Sequence, residues 1–192
     1  MIKLILQEKR TTECFYKEEK IYTFPQALYK LPKCICTSKN PQQIIEYLIE
    51  EEKKRIKQFI LKCLNKRIYF RQELQHKLIQ VNFHKNLIEE VLSFFTQKDF
   101  LNETRDSRIF IHFYKSQRKS PRWIYQKLLH KQLSPNTITS FIEKFYTREE
   151  ELENISYLYK KLEKRKYPQE KIIRSLLSKG FKWNCIQEST KK

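Results

Sequence analysis

Beyond residue 51 the chain repeats one pattern of apolar positions, and this repeat restricts the fold more than any other feature. Ile60, Leu64, Leu74, Leu78, Phe83 and Ile88 are matched fifty residues on by Phe110, Tyr114, Ile124, Leu128, Leu133 and Ile138. Ninety-eight residues on, they are matched by Leu158, Leu162, Ile172, Leu176, Phe181 and Ile186. Spacings of three and four within each copy place these side chains on helix faces. Helix starts appear where the pattern needs them. Ser120-Pro121 and Ser134-Pro135 each pair a capping hydroxyl with a proline whose missing N–H costs nothing in a first turn. Tyr167-Pro168 opens the second helix of the third copy, and Thr147-Arg148-Glu149-Glu150 has capping-box spacing. Units this short bury their apolar faces only against neighbours. The expected fold is therefore mainly α: three tandem three-helix repeats forming an elongated curved array, at 51–102, 103–148 and 149–192.

Residues 1–50 read as a small N-terminal β-hairpin and helix extension. Glu13-Cys14-Phe15-Tyr16 and Lys20-Ile21-Tyr22-Thr23-Phe24 flank the polar Lys17-Glu18-Glu19, with Leu4-Ile5-Leu6 a possible third strand. Asn40-Pro41 then starts a helical stretch running to about Arg67, with a polar break expected near Glu50–Lys54. Gly180 is the single glycine among 192 residues, so neither a GxGxxG turn nor a Walker A loop exists, which argues against a doubly wound nucleotide fold.

No apolar run is long enough for a signal-peptide core or a membrane span. Five scattered cysteines, Cys14, Cys34, Cys36, Cys63 and Cys185, do not form a disulfide framework. A reduced, cytoplasmic protein is the expectation.

The chain carries 40 Lys+Arg against 22 Asp+Glu, a formal charge of +18. The excess is localised, because no acid occurs between Asp106 and Glu143, an interval that holds Arg108, Lys115, Arg118, Lys119, Arg122, Lys127 and Lys131. A one-signed field of this kind attracts polyanions. If residues 120–131 are helical, Lys127 and Lys131 stand near Arg122 on one side while Ile124 and Leu128 face the core. Arg118 and Lys119 precede them in the turn. Trp123 either stacks on a base, anchors a protein interface, or packs between repeats. The third copy offers a comparable strip in Lys160, Lys161, Lys164, Arg165 and Lys166, continued by Arg174 and Lys179.

Catalytic and metal-binding constellations are not evident. His76, His84, His112 and His130 have no paired spacing, Cys34-Ile35-Cys36 has no second pair, and Cys63 reads as a small buried hydrophobe. Glu103 with Asp106, and Glu89 with Glu90, read as solvated helix faces. No enzyme activity, cofactor or metal is expected.

Three stretches carry a family likeness. Glu73-Leu74-x-x-Lys77-Leu78, followed by Phe83, Ile88, Val91-Leu92 and Phe100-Leu101-Asn102-Glu103, resembles the first helical unit of the regulatory protein RecX family. Ser120-Pro121-Arg122-Trp123-Ile124-x-x-x-Leu128 resembles the stretch opening its second unit. Arg174-Ser-Leu-Leu-Ser-Lys179-Gly180-Phe181-x-x-x-x-Ile186 resembles its closing motif. The hairpin and the Tyr29–Thr37 segment are similar to the N-terminal extension of longer members. The chain departs from the family at Asn102-Glu103 and Asp106-Ser107, where an aspartate pair and Phe-Ala are usual. Ser120 replaces a frequent glycine, and a second glycine is missing before Leu133. The resemblance implies a monomeric, non-enzymatic modulator of recombination, DNA repair and the SOS response. Such a protein binds the groove of the RecA filament and its single-stranded DNA, with weaker binding to naked DNA and no membrane. It mainly inhibits ATP hydrolysis, strand exchange and co-protease activity. The contacts it would use here are Arg118, Lys119, Arg122, Trp123, Lys127, Lys131, Lys164, Arg165, Arg174 and Lys179. The alternative is a stand-alone basic nucleic-acid binder with helix-turn-helix-like units.

Overall fold

A computed structural model describes residues 2–7, 11–25 and 40–190. Among these, three strands and nine helices form two compact units, Met1–Leu101 and Asn102–Lys192. The Tyr29–Thr37 segment, Cys34 and Cys36 lie outside the described residues.

The first unit opens with an antiparallel sheet of β1 (Ile2–Gln7), β2 (Thr11–Tyr16) and β3 (Glu19–Pro25), in the order β1-β2-β3. The third strand is thus present. The β2–β3 turn is only two residues, Lys17 and Glu18, with φ of 50° and 74°. Tight right-twisted hairpins need this left-handed pair, and here two non-glycine residues supply it. Helix α1 (Pro41–Leu64) is capped by Asn40, whose side chain accepts the Gln42 N–H at 2.9 Å. It buries Ile44 and Leu48 with Cys14 and Phe24 of the sheet, and Ile56 and Ile60 with α2 (Arg71–Gln80) and α3 (Lys85–Gln97).

The polar break expected near Glu50–Lys54 does not occur, and α1 runs through it. Glu52 is fully buried there, one helical turn from both Leu48 and Ile56. Its carboxylate accepts the His84 backbone N–H at 2.7 Å, capping α3, and lies 2.9 Å from His84 Nδ1. Tyr22 Oη of β3 donates to it at 3.1 Å. The bond to Glu52 raises the His84 pKa above its usual value against the opposing effect of burial, while burial and the carboxylate push the Tyr22 hydroxyl upward.

The second unit contains α4 (Glu103–Ser116), α5 (Pro121–Leu129), α6 (Pro135–Phe145), α7 (Arg148–Glu163), α8 (Gln169–Ser178) and α9 (Trp183–Thr190). Ser120 and Ser134 cap α5 and α6, and Thr147 with Glu150 forms the capping box of α7. Pro168 stands at the N-cap of α8 rather than inside it.

Four of the six template positions are buried in all three copies, while Leu64, Tyr114, Leu158 and Leu162 are half-buried. Leu74, Ile124 and Ile172 are buried, as are Leu78, Leu128 and Leu176; Phe83, Leu133 and Phe181; and Ile88, Ile138 and Ile186. The backbone repeats as well. Asn82, Gln132 and Gly180 occupy equivalent positions with φ of 68°, 69° and 88°. At each, the residue donates to the carbonyl three back and the next residue donates to the carbonyl five back. That is a left-handed helix terminus whose following apolar residue folds into the core.

Two sequence expectations fail locally. Asp106 is buried, accepting the Asn102 N–H at 3.3 Å and Arg105 Nε at 3.1 Å, and so is not a solvated carboxylate. Cys63 is only partly buried beside its core.

Candidate nucleic-acid interface

The site is built where α4 ends and α5 begins. Arg118 turns the chain with φ of 60°, and the Lys119 N–H bonds the Tyr114 carbonyl at 3.1 Å. Ser120 follows, fully buried. Its Oγ accepts the Trp123 N–H at 3.2 Å and donates to the Lys179 carbonyl at 2.6 Å. The start of α5 is thereby fastened to the α8–α9 turn. Gly180 permits the approach, since a Cβ there would lie 2.9 Å from Ser120 Oγ and 3.4 Å from Arg122 Cβ.

This junction creates a surface groove of about 540 Å³ lined by Arg122, Trp123, Lys127 and His130 on one side and Lys179 on the other. Among the described residues, no carboxylate lines it. Lys119 and Lys127 hold their ammonium groups 5.1 Å from the Trp123 ring centre, and the Tyr114 ring supports Trp123 at 4.8 Å. A half-buried indole flanked by two cations offers a flat stacking surface next to charges that phosphate oxygens can reach.

The sequence-predicted residues separate into three groups. Arg122, Trp123, Lys127 and Lys179 line this groove, and Lys119 covers its indole. Lys131 lies past the end of α5, 5.7 Å over Phe110. Lys164, Arg165 and Arg174 are exposed but line no part of the groove.

Arg118 is turned inward, bonding Asn154 Oδ1 and stacking 4.7 Å from the Tyr157 ring. Asn154 Nδ2 donates to Tyr146 Oη at 2.7 Å, which in turn donates to the Lys119 carbonyl at 3.1 Å. Burial pushes the Tyr146 hydroxyl up to about 12. Lys115 is likewise committed, to Glu150 Oε1 at 2.5 Å and the Phe145 carbonyl at 3.2 Å. These two bases of the acid-free interval hold the unit together, leaving Lys119, Arg122 and Lys127 around the indole.

Two further residues were not singled out by the sequence pattern. Glu52 buries its carboxylate on the backbone N–H of His84 at the N-terminus of a third helix, and Glu151 is buried beside Lys182, the position equivalent to His84 in the repeat. The signal for both was an acid at an interior position of an apolar stripe: Glu52 between Leu48 and Ile56, and Glu151 four before Ile155. Among the described residues there is no grouping of three His, Cys, Asp or Glu suited to a metal ion, and no helix is long and apolar enough to cross a membrane.

Fold and site together define a class: basic proteins of helical triplets, carrying a cationic, aromatic-floored groove. No family model matches the chain. A protein of Caldanaerobacter subterraneus subsp. tengcongensis named Regulatory protein RecX is 24% identical over 153 residues, covering 80% of this chain and 76% of its own. One of the same name from Listeria monocytogenes serotype 4b is 31% identical over 150 residues, covering 70% of this chain and 55% of its own. The chain thus spans about half the length of that relative.

Two solved structures share the fold. One described as the regulatory protein RecX aligns with a TM-score of 0.66 at 18% identity, over 100% of this chain and 98% of that one. RecX from Lactobacillus salivarius aligns with a TM-score of 0.68 at 22% identity, over 74% and 96%. The chain is thus similar in sequence to proteins named RecX and shares the fold of their solved structures.

Proposed function

We propose that this protein is a non-enzymatic regulator that binds the RecA–single-stranded DNA filament and mainly restrains its ATPase, strand exchange and co-protease activities. The observation that carries the reading is the carboxylate-free groove in which Arg122, Lys127 and Lys179 surround an indole. Phosphates suit its cations, and an unstacked base suits the ring. Organisation into three units, 51–102, 103–148 and 149–192, supplies the surface on which Lys164, Arg165 and Arg174 extend the contact. Similarity to proteins named RecX points in the same direction.

The test is a titration of the protein into RecA on single-stranded DNA. The steady ATPase rate falls as protein is added, and the Arg122→Glu/Lys127→Glu variant needs roughly tenfold more protein for the same effect at unchanged helicity. A rate that stays constant across a wide excess of wild-type protein refutes the proposal. Tight binding to naked DNA that falls steeply with salt, without any action on RecA, would favour a stand-alone nucleic-acid binder instead.

A further inference from the structure

The α8–α9 turn that closes the cationic groove also forms one wall of a second, larger one. This groove, about 850 Å³, is walled by Tyr125, Ile142, Leu177, Phe181 and Trp183. Leu177 and Trp183 are 41% and 46% exposed, so two large apolar side chains stand in water at its mouth. Such surface is costly to leave uncovered and marks a docking site.

The wall chemistry says what does not bind there. Glu143 and Glu151 both line this groove, whereas the neighbouring one has no carboxylate. These two carboxylates offset Arg122 and Lys182 of the same groove, so it lacks the unopposed positive charge with which its neighbour attracts phosphates. The groove thus suits a protein.

The same residues define that protein segment. Glu151 is 7% exposed, and its Oε2 accepts a weak bond from Cys185 Sγ at 3.8 Å. Its Oε1 is buried without a hydrogen-bond partner, a condition that favours any donor brought within reach. A lysine or arginine would have to enter against the field of residues 102–192, which hold 21 bases and 10 acids. An aromatic side chain with a neutral donor meets both the apolar walls and the carboxylate. The same excess of bases across residues 102–192 favours acidic residues on either side of it, outside the groove.

We propose that this groove receives an acidic segment of the partner protein, which inserts a single tyrosine or tryptophan and donates a hydrogen bond to Glu151. The inference rests on the function proposed above and assigns its protein contact to a groove that adjoins the nucleic-acid contact and shares Arg122, Leu177 and Gly180 with it.

Trp183 is exposed and lines this groove but not the cationic one, which allows a test with little risk to folding. Trp183→Ala and Trp183→Ser, checked for wild-type helicity by circular dichroism, are compared with Trp123→Ala in two assays. One is affinity for a short fluorescent oligothymidylate, and the other is half-inhibition of RecA ATPase on single-stranded DNA. Trp183→Ala and Trp183→Ser keep oligothymidylate affinity within about twofold and raise the half-inhibiting concentration at least about tenfold, while Trp123→Ala weakens oligothymidylate binding. Loss of oligothymidylate affinity in the Trp183 variants would make nucleic acid the occupant and overturn the inference. So would unchanged half-inhibition alongside an active wild type, which leaves the RecA reading intact. A wild type with no effect on RecA removes both.

Discussion

Gly180 shows how much one residue can decide. It sits in a left-handed conformation with φ of 88°, and a Cβ added there would meet Ser120 Oγ at 2.9 Å and Arg122 Cβ at 3.4 Å. Gly180→Ala is expected to destabilise the second unit by about 2 kcal/mol or more, since the left-handed backbone alone costs an L-residue about 1–2 kcal/mol. A thermal melt followed by tryptophan emission checks this. The equivalent Gln132 adopts φ of 69° without glycine's freedom. Gln132→Gly should therefore raise the melting temperature, by about 0.5–1 kcal/mol in stability after glycine's entropic cost. Sequence showed that a glycine was missing before Leu133. It did not show that the turn keeps its left-handed form regardless, because the buried Leu133 side chain holds it there.

Among the elements, α1 departs most from its sequence pattern. The run Glu50–Lys54 looked like an interruption because five polar residues stand together. At one turn's spacing from Leu48 and Ile56, however, Glu52 occupies the stripe itself, and its carboxylate is satisfied by α3 and β3. Partners so far away in sequence leave no local trace, so helix periodicity was legible and the buried use of the acid was not. The pair has a pH signature. His84 has a folded pKa above 6.5 through its bond to Glu52. Its contribution to stability is complete below the unfolded value near 6.5 and is lost as pH rises through the folded value. The His84 side chain is 41% exposed, so solvent screens the size of the effect. NMR titration of the His84 ring should give a midpoint above 6.5 in wild type. In Glu52→Gln it should fall to about 6.5 or below, with a flatter dependence of melting temperature on pH.

For the whole molecule, the repeated pattern located many of the buried helix positions in advance. Leu78, Leu128 and Leu176 are each fully buried, as their shared register requires. Replacing any of them by alanine is expected to cost about 2–5 kcal/mol. Both tryptophans, Trp123 and Trp183, lie in the second unit, so emission melts report Leu128→Ala and Leu176→Ala, and circular dichroism reports Leu78→Ala. A near-zero change at all three would contradict the common register. The candidate site was less legible. Composition showed where acids are absent, but it could not tell Arg118 and Lys115, spent on Asn154 and Glu150, from Arg122 and Lys127 in the groove. The assignment depends on residues some thirty positions away that decide which cations are already occupied.

Arg122 borders both grooves of the second unit. If each has its own ligand, a lesion at this one guanidinium is pleiotropic. Genetic screens for loss of either activity would recover it, and its phenotype alone could not say which contact had failed. Neither surface can drift at that position without the other, so separation-of-function alleles are to be sought at Trp183 or Lys127.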